Sequence, residues 1–186
     1  MTSSVSRADL EAAFGADHVT VIPPERLNPL VVHPESRRFL AEVGLPGDDD
    51  SLYAPLNYLD SGLPNAHDFE PEFDYLEGLP ETANHWVGLG FSQDHETFLD
   101  GATGIVWLVP EGRSEAYILN TRLDLFAQCL ISVHGRWDIL VGPTHYTVRT
   151  PIANALADEF EALDPMATAL PESAWRYWLL STLTDF

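Results

Sequence analysis

Five residues, Ile105-Val106-Trp107-Leu108-Val109, constrain this chain more than any others. The run is apolar on both faces, and Pro110 stops it. A strand of that kind lies inside a sheet and is covered on each side. It follows Asp100-Gly101-Ala102-Thr103-Gly104, a turn-forming cluster entered from Glu96–Leu99. The Asp-Gly pair and the second glycine supply the positive φ values that a short hairpin loop requires. Upstream, Trp86–Phe91 is a further apolar run, and downstream Ala116–Leu119 reads as a short strand. Asn120 and Thr121 then offer caps for a helix through Val133, with Leu123, Phe126, Leu130 and Val133 on one stripe. The stretch from His85 to Val133 is thus a hairpin-built core, and the other elements read as what covers it.

The flanks are mainly helical. Ser6 and Asp9 make a capping-box pair for a first helix that buries Leu10, Ala13 and Phe14 and ends at Gly15. His18–Ile22 alternates toward β structure. Pro34 fits the first position of a second helix, with Phe39, Leu40 and Val43 inward and Gly44 after its end. Leu52–Leu56 and Trp137–Val141 read as short strands. Pro151 is expected to start a helix with Ile152, Leu156, Phe160 and Leu163 on one face. Asp164-Pro165 breaks it, and a last helix from Pro171 carries Trp175, Trp178, Leu179 and Leu183. Helices at both ends and antiparallel strands between them predict an α+β fold with a mainly antiparallel central sheet flanked by helices. Residues 1–186 are read as a single domain.

Charge excludes more than it assigns. Twenty-nine acidic residues face nine arginines and no lysine, a formal charge of −20. Phosphate backbones and anionic lipids need cationic surfaces, so neither nucleic acid nor membrane is an expected partner. A basic protein is, with electrostatic steering of the encounter; solubility alone also accounts for the charge. No apolar run is long enough to cross a bilayer, the N-terminus lacks a signal-like core, and Cys129 is the sole cysteine. Those features fit a cytoplasmic location.

Motifs for chemistry are sparse. Gly88-Leu89-Gly90 lacks the third glycine of a dinucleotide loop, and no lysine serves a P-loop. No cofactor is expected. His85, Asp94, His95 and Glu96 converge only if two strands pair suitably, which leaves a small metal-dependent hydrolase as the rival reading. Cys129 sits in an apolar stretch, where a buried inert thiol is the ordinary case.

From Leu59 to Thr82 no period lasts, and Asp68 to Glu77 interleaves acids with large apolar residues. Long irregular segments inside a domain are often functional. The candidate partner-binding residues are Phe69, Glu70, Glu72, Phe73, Asp74, Tyr75 and Glu77, with the acidic turn Asp48, Asp49 and Asp50 beside them. The plainer alternative tucks Phe69, Phe73 and Tyr75 onto the core and leaves the acids merely solvated.

Four groups in order and spacing resemble the SUKH superfamily, in particular its fourth branch of bacterial immunity proteins. They are Arg37–Pro46, a helix and turn; Phe98–Val106, a glycine-containing hairpin; Leu119–Phe126, a strand-to-helix junction; and Leu163-Asp164-Pro165 followed by Trp175. The stretch from Leu59 to Thr82 carries none of these motifs. The resemblance implies an α+β fold, no enzymatic activity, and neutralisation of a polymorphic toxin, often a nuclease or a nucleic-acid deaminase, by binding it. It also implies a cognate toxin as partner, while relatives elsewhere act as general protein-binding scaffolds; the acidic charge makes a basic toxin the expected one.

Overall fold

The first helix starts where its capping pair predicts. In α1 (Arg7–Phe14), the Asp9 N–H donates to Ser6 Oγ and the Ser6 N–H donates to Asp9 Oδ2. The structure, a computed structural model, describes residues 5–47, 52–56, 62–70, 72–143, 145–169 and 173–180. β1 (Val19–Thr20) pairs antiparallel with β2 (Leu45–Pro46). Between them, α2 (Pro34–Arg38) has Pro34 at its first position and continues as a π-helical turn, Phe39–Val43. Gly44 ends it at φ +90°, and a Cβ there would lie 2.5 Å from the Thr20 carbonyl oxygen. Gly44→Ala is therefore expected to cost about 2–3 kcal/mol in urea unfolding, from left-handed strain and a backbone clash. A cost near zero would mean that the β1–β2 ladder shifts freely.

The core sheet is an antiparallel meander of β3 (Tyr53–Pro55), β4 (Trp86–Ser92), β5 (His95–Asp100), β6 (Val106–Val109) and β7 (Tyr117–Asn120). Asp100 holds the central hairpin. Its Oδ1 accepts from the Ala102 and Thr103 N–H groups at 2.9 and 3.1 Å. Its Oδ2 accepts from the Thr82 hydroxyl at 2.5 Å, and its carbonyl accepts from the Gly104 N–H at 2.8 Å. The carboxylate is buried, and these bonds offset its lost hydration.

Period-two alternation divides the strands between two hydrophobic bodies. Val87, Leu89, Leu99, Val106, Leu108 and Leu119 face the larger one. Over it lies α4 (Leu123–His134), which buries Leu123, Phe126, Leu130 and Val133 as its stripe predicts. Phe126 meets Tyr53 edge-on at 5.2 Å, and Trp175 packs against Phe160 at 4.7 Å. Trp86, Phe98, Trp107 and Val109 belong to the smaller body on the opposite face. β6 is thus covered on both sides, as its composition requires.

Three local expectations change. Trp137–Val141 is the helix α5, not a strand; it buries Leu140 and leaves Ile139 and Val141 exposed. Pro151 lies inside α6 (Tyr146–Leu163) and does not start it, because His145 caps the helix six residues earlier. Asn120 and Thr121 do not cap α4; Arg122 holds that position, and both residues bond to Asp164 instead. Asp164 ends α6, and α7 (Pro165–Thr168) follows. Of the last apolar stripe, Trp175 is fully buried, and its other members lie outside the described side chains.

Candidate functional site

The irregular acidic segment is the cover of the smaller body. Asn28 Nδ2 donates to the Leu63 carbonyl and to Asn65 Oδ1, both at 2.8 Å, which pins its entry. The Gly88 N–H then donates to the Pro64 carbonyl at 3.0 Å. α3 (Ala66–Phe69) follows, then a 3₁₀ turn, Phe73–Tyr75. The exit is held by the Glu77 N–H, which donates to the Ser114 carbonyl at 2.7 Å.

Aromatic packing fixes which way each side chain points. Phe73 is buried and lies against Trp86 and Phe98 at 5.8 and 5.6 Å. Phe69 packs on Phe91 and Phe98 at 5.2 and 5.3 Å. Its ring occupies the space above Gly88, where a Cβ would come within 2.4 Å of it. That contact is a use for Gly88 that phosphate binding does not supply. Tyr75, in contrast, is 77% exposed. The plainer alternative therefore holds for Phe73 and in part for Phe69, and not for Tyr75.

With the phenylalanines inward, the acids face out. Glu72, Asp74 and Glu77 are exposed and Glu70 is half-buried. Glu70 accepts from the Glu72 N–H at 2.8 Å, and Asp74 lies 3.2 Å from the His67 ring in a solvated pair. Beside the cover runs an open groove of about 320 Å3. Glu70, Glu72, Tyr75 and Leu76 line it from the cover; Glu96, Val109 and Pro110 line it from the sheet. Burial raises the proton affinity of Glu96 above the usual carboxylate range, and the nearby charges of Glu70 and Glu111 add to the shift. Glu96 was absent from the sequence-derived binding set, although alternation along β5 places it on the same face as Phe98. The acidic turn Asp48, Asp49 and Asp50 lies outside the described residues.

Strand pairing separates the rival metal-site residues. Trp86 pairs with Asp100 and Ser92 with His95, so His85 and His95 sit at opposite ends of the β4–β5 ladder. His85 lies 3.4 Å from the Leu30 carbonyl, and His95 Nδ1 accepts from the Glu111 N–H at 3.1 Å. Burial pushes the His95 imidazole below its usual value, against the charges of Asp94 and Glu111. Among the described residues, no three His, Cys, Asp or Glu side chains are placed to hold a metal ion. Burial likewise raises the Cys129 thiol far above its ordinary value, which makes it a poor nucleophile.

The sequence model of the SUKH-4 immunity protein family matches residues 5–181. The chain belongs to the SUKH-4 immunity proteins. No curated protein and no solved structure matches it. The matched residues include those of both hydrophobic bodies and of the acidic cover. The match supports an immunity-type function with a toxin as partner. No helix among the described residues of this SUKH-4 chain is long and apolar enough to cross a membrane.

Proposed function

We propose that this SUKH-4 protein neutralises a basic toxin that acts on nucleic acid, a nuclease or a deaminase, by binding it through the acidic cover, and that it does so in the cytoplasm without catalysing a reaction. The observation that carries the reading is the opposed orientation within one short segment. Phe69 and Phe73 anchor it inward, while Glu72, Asp74, Tyr75 and Glu77 face solvent. A groove that grips phosphates is cationic, and an acidic face backed by a rigid sheet competes for the same charges. The formal charge of −20 steers the encounter, and Tyr75 supplies an aromatic anchor of low conformational entropy.

The test is association with a basic nuclease or deaminase toxin, sought first among the products of neighbouring genes. Combined Glu72→Gln, Asp74→Asn and Glu77→Gln substitutions should slow association about tenfold at low salt and flatten its salt dependence. Unchanged rates and an unchanged salt slope would place the binding surface elsewhere.

A further inference from the structure

The cover does not reach the end of the sheet face it protects. It closes over Trp86 and Phe98, which are buried, and covers Phe91 only in part: Phe69 packs on that ring, which is still 38% exposed. Glu96 pairs in register with Phe91 on one side and Val109 on the other, so a carboxylate lies among apolar neighbours at the margin. The groove opens there. Its sheet side is Val109 and Pro110, and Leu76 and Tyr75 stand on the cover side. Glu70 from the cover and Glu96 from the sheet line it together.

We infer that this groove receives one arginine side chain of the bound partner, its aliphatic stem against Leu76, Val109 and Pro110 and its guanidinium against the carboxyl pair of Glu70 and Glu96, which share a hydrogen bond. The inference rests on the toxin-binding reading and names the chemistry of its contact. The lining sets Glu70, Glu72 and Glu96 against a single arginine, Arg113, and that acidic excess selects a cation. Two carboxylates converging from different elements suit the planar fork of arginine better than a point charge, and the Tyr75 ring offers it a face.

The groove also makes binding proton-linked. The ionisable groups that line it are Glu70, Glu72 and Tyr75 on the cover, Glu96 on β5 and Arg113 after β6, with the charge of Glu111 close to Glu96. Burial and two like charges make Glu96 hold its proton to higher pH than an ordinary glutamate. An entering guanidinium favours the ionised form, so binding releases a proton and weakens as pH falls through the raised Glu96 value. The sign for stability is the reverse. The native state gains from protonation of Glu96, and that gain is lost as pH rises, so Glu96→Gln should raise the midpoint of thermal unfolding at neutral pH while weakening binding.

The probe is Nα-acetyl-arginine amide, titrated into the 15N-labelled full chain, with the citrulline analogue as the uncharged control. Saturable amide shifts are expected at Leu76, Glu96, Val109 and Gly112, absent with citrulline and weakened about tenfold in Glu96→Gln. Weak shifts scattered over exposed acids such as Glu25 and Asp158, unchanged in Glu96→Gln, would overturn the inference. The intact toxin separates this failure from that of the broader reading. If Glu96→Gln leaves toxin dissociation unchanged while the Glu72, Asp74 and Glu77 substitutions slow association, the groove is not the contact and the acidic cover still is. If neither set alters toxin binding, both fall.

Discussion

Replacing Asp164 by alanine is expected to destabilise the protein by about 3–5 kcal/mol, the cost of stranding several buried donors at once. Asp164 Oδ2 accepts from the Thr121 N–H at 2.7 Å and from Asn120 Nδ2 at 3.1 Å. Its Oδ1 accepts from the Thr121 hydroxyl at 3.0 Å. Asn120 in turn accepts from the Trp175 indole at 3.0 Å. One carboxylate thus joins the end of β7, the end of α6 and the C-terminal aromatic. Asp164→Asn keeps the shape but turns one acceptor toward the Asn120 amide as a donor, so a smaller loss of about 1–2 kcal/mol is expected. Urea unfolding followed by circular dichroism measures both. Losses below about 1 kcal/mol for the alanine variant would show that water replaces the carboxylate without penalty.

Phe73→Ala is expected to have a similar total cost, about 3 kcal/mol, but a different distribution. Phe73 belongs to the smaller body and touches neither α4 nor α6 through any described aromatic contact. Its removal should loosen the cover and leave the larger body intact. Hydrogen exchange separates the two outcomes: amides of residues 66–76 should lose protection, while those of α4 keep theirs. Toxin binding should fall sharply although every exposed acid is still present, because the acids lose their fixed placement. Uniform loss of protection across the chain would show that the two bodies unfold together.

Sequence patterns with a local cause were legible. Ser6 with Asp9, Pro34 with Gly44, and the Asp100 turn each act within a few residues, and each forms as its chemistry dictates. The apolar run of β6 was equally clear, because burial on both faces leaves no alternation to misread. Patterns settled by distant partners were not. Trp137–Val141 is five residues, four of them apolar, too few for a helical period to show, and Leu140 is the one it buries. Asn120 and Thr121 have good capping side chains, but a carboxylate more than forty positions away takes them. At the candidate site, the alternation of acids and aromatics marked the cover. It did not separate buried Phe73 from exposed Tyr75, nor reveal that Glu96, some twenty residues downstream, lines the same groove as Tyr75.

The two hydrophobic bodies share one sheet, and that arrangement has a bearing on how such a protein can change its target. Residues that meet solvent on the cover rest on the lesser body, whose anchors are Phe69, Phe73 and their ring neighbours. Exchanging Glu72, Asp74, Tyr75 or Glu77 alters the charge and shape offered to a toxin while leaving every interior contact in place. On the proposed toxin-binding reading, recognition and foldability draw on separate sets of side chains, and a lineage can retune the first without gambling the second.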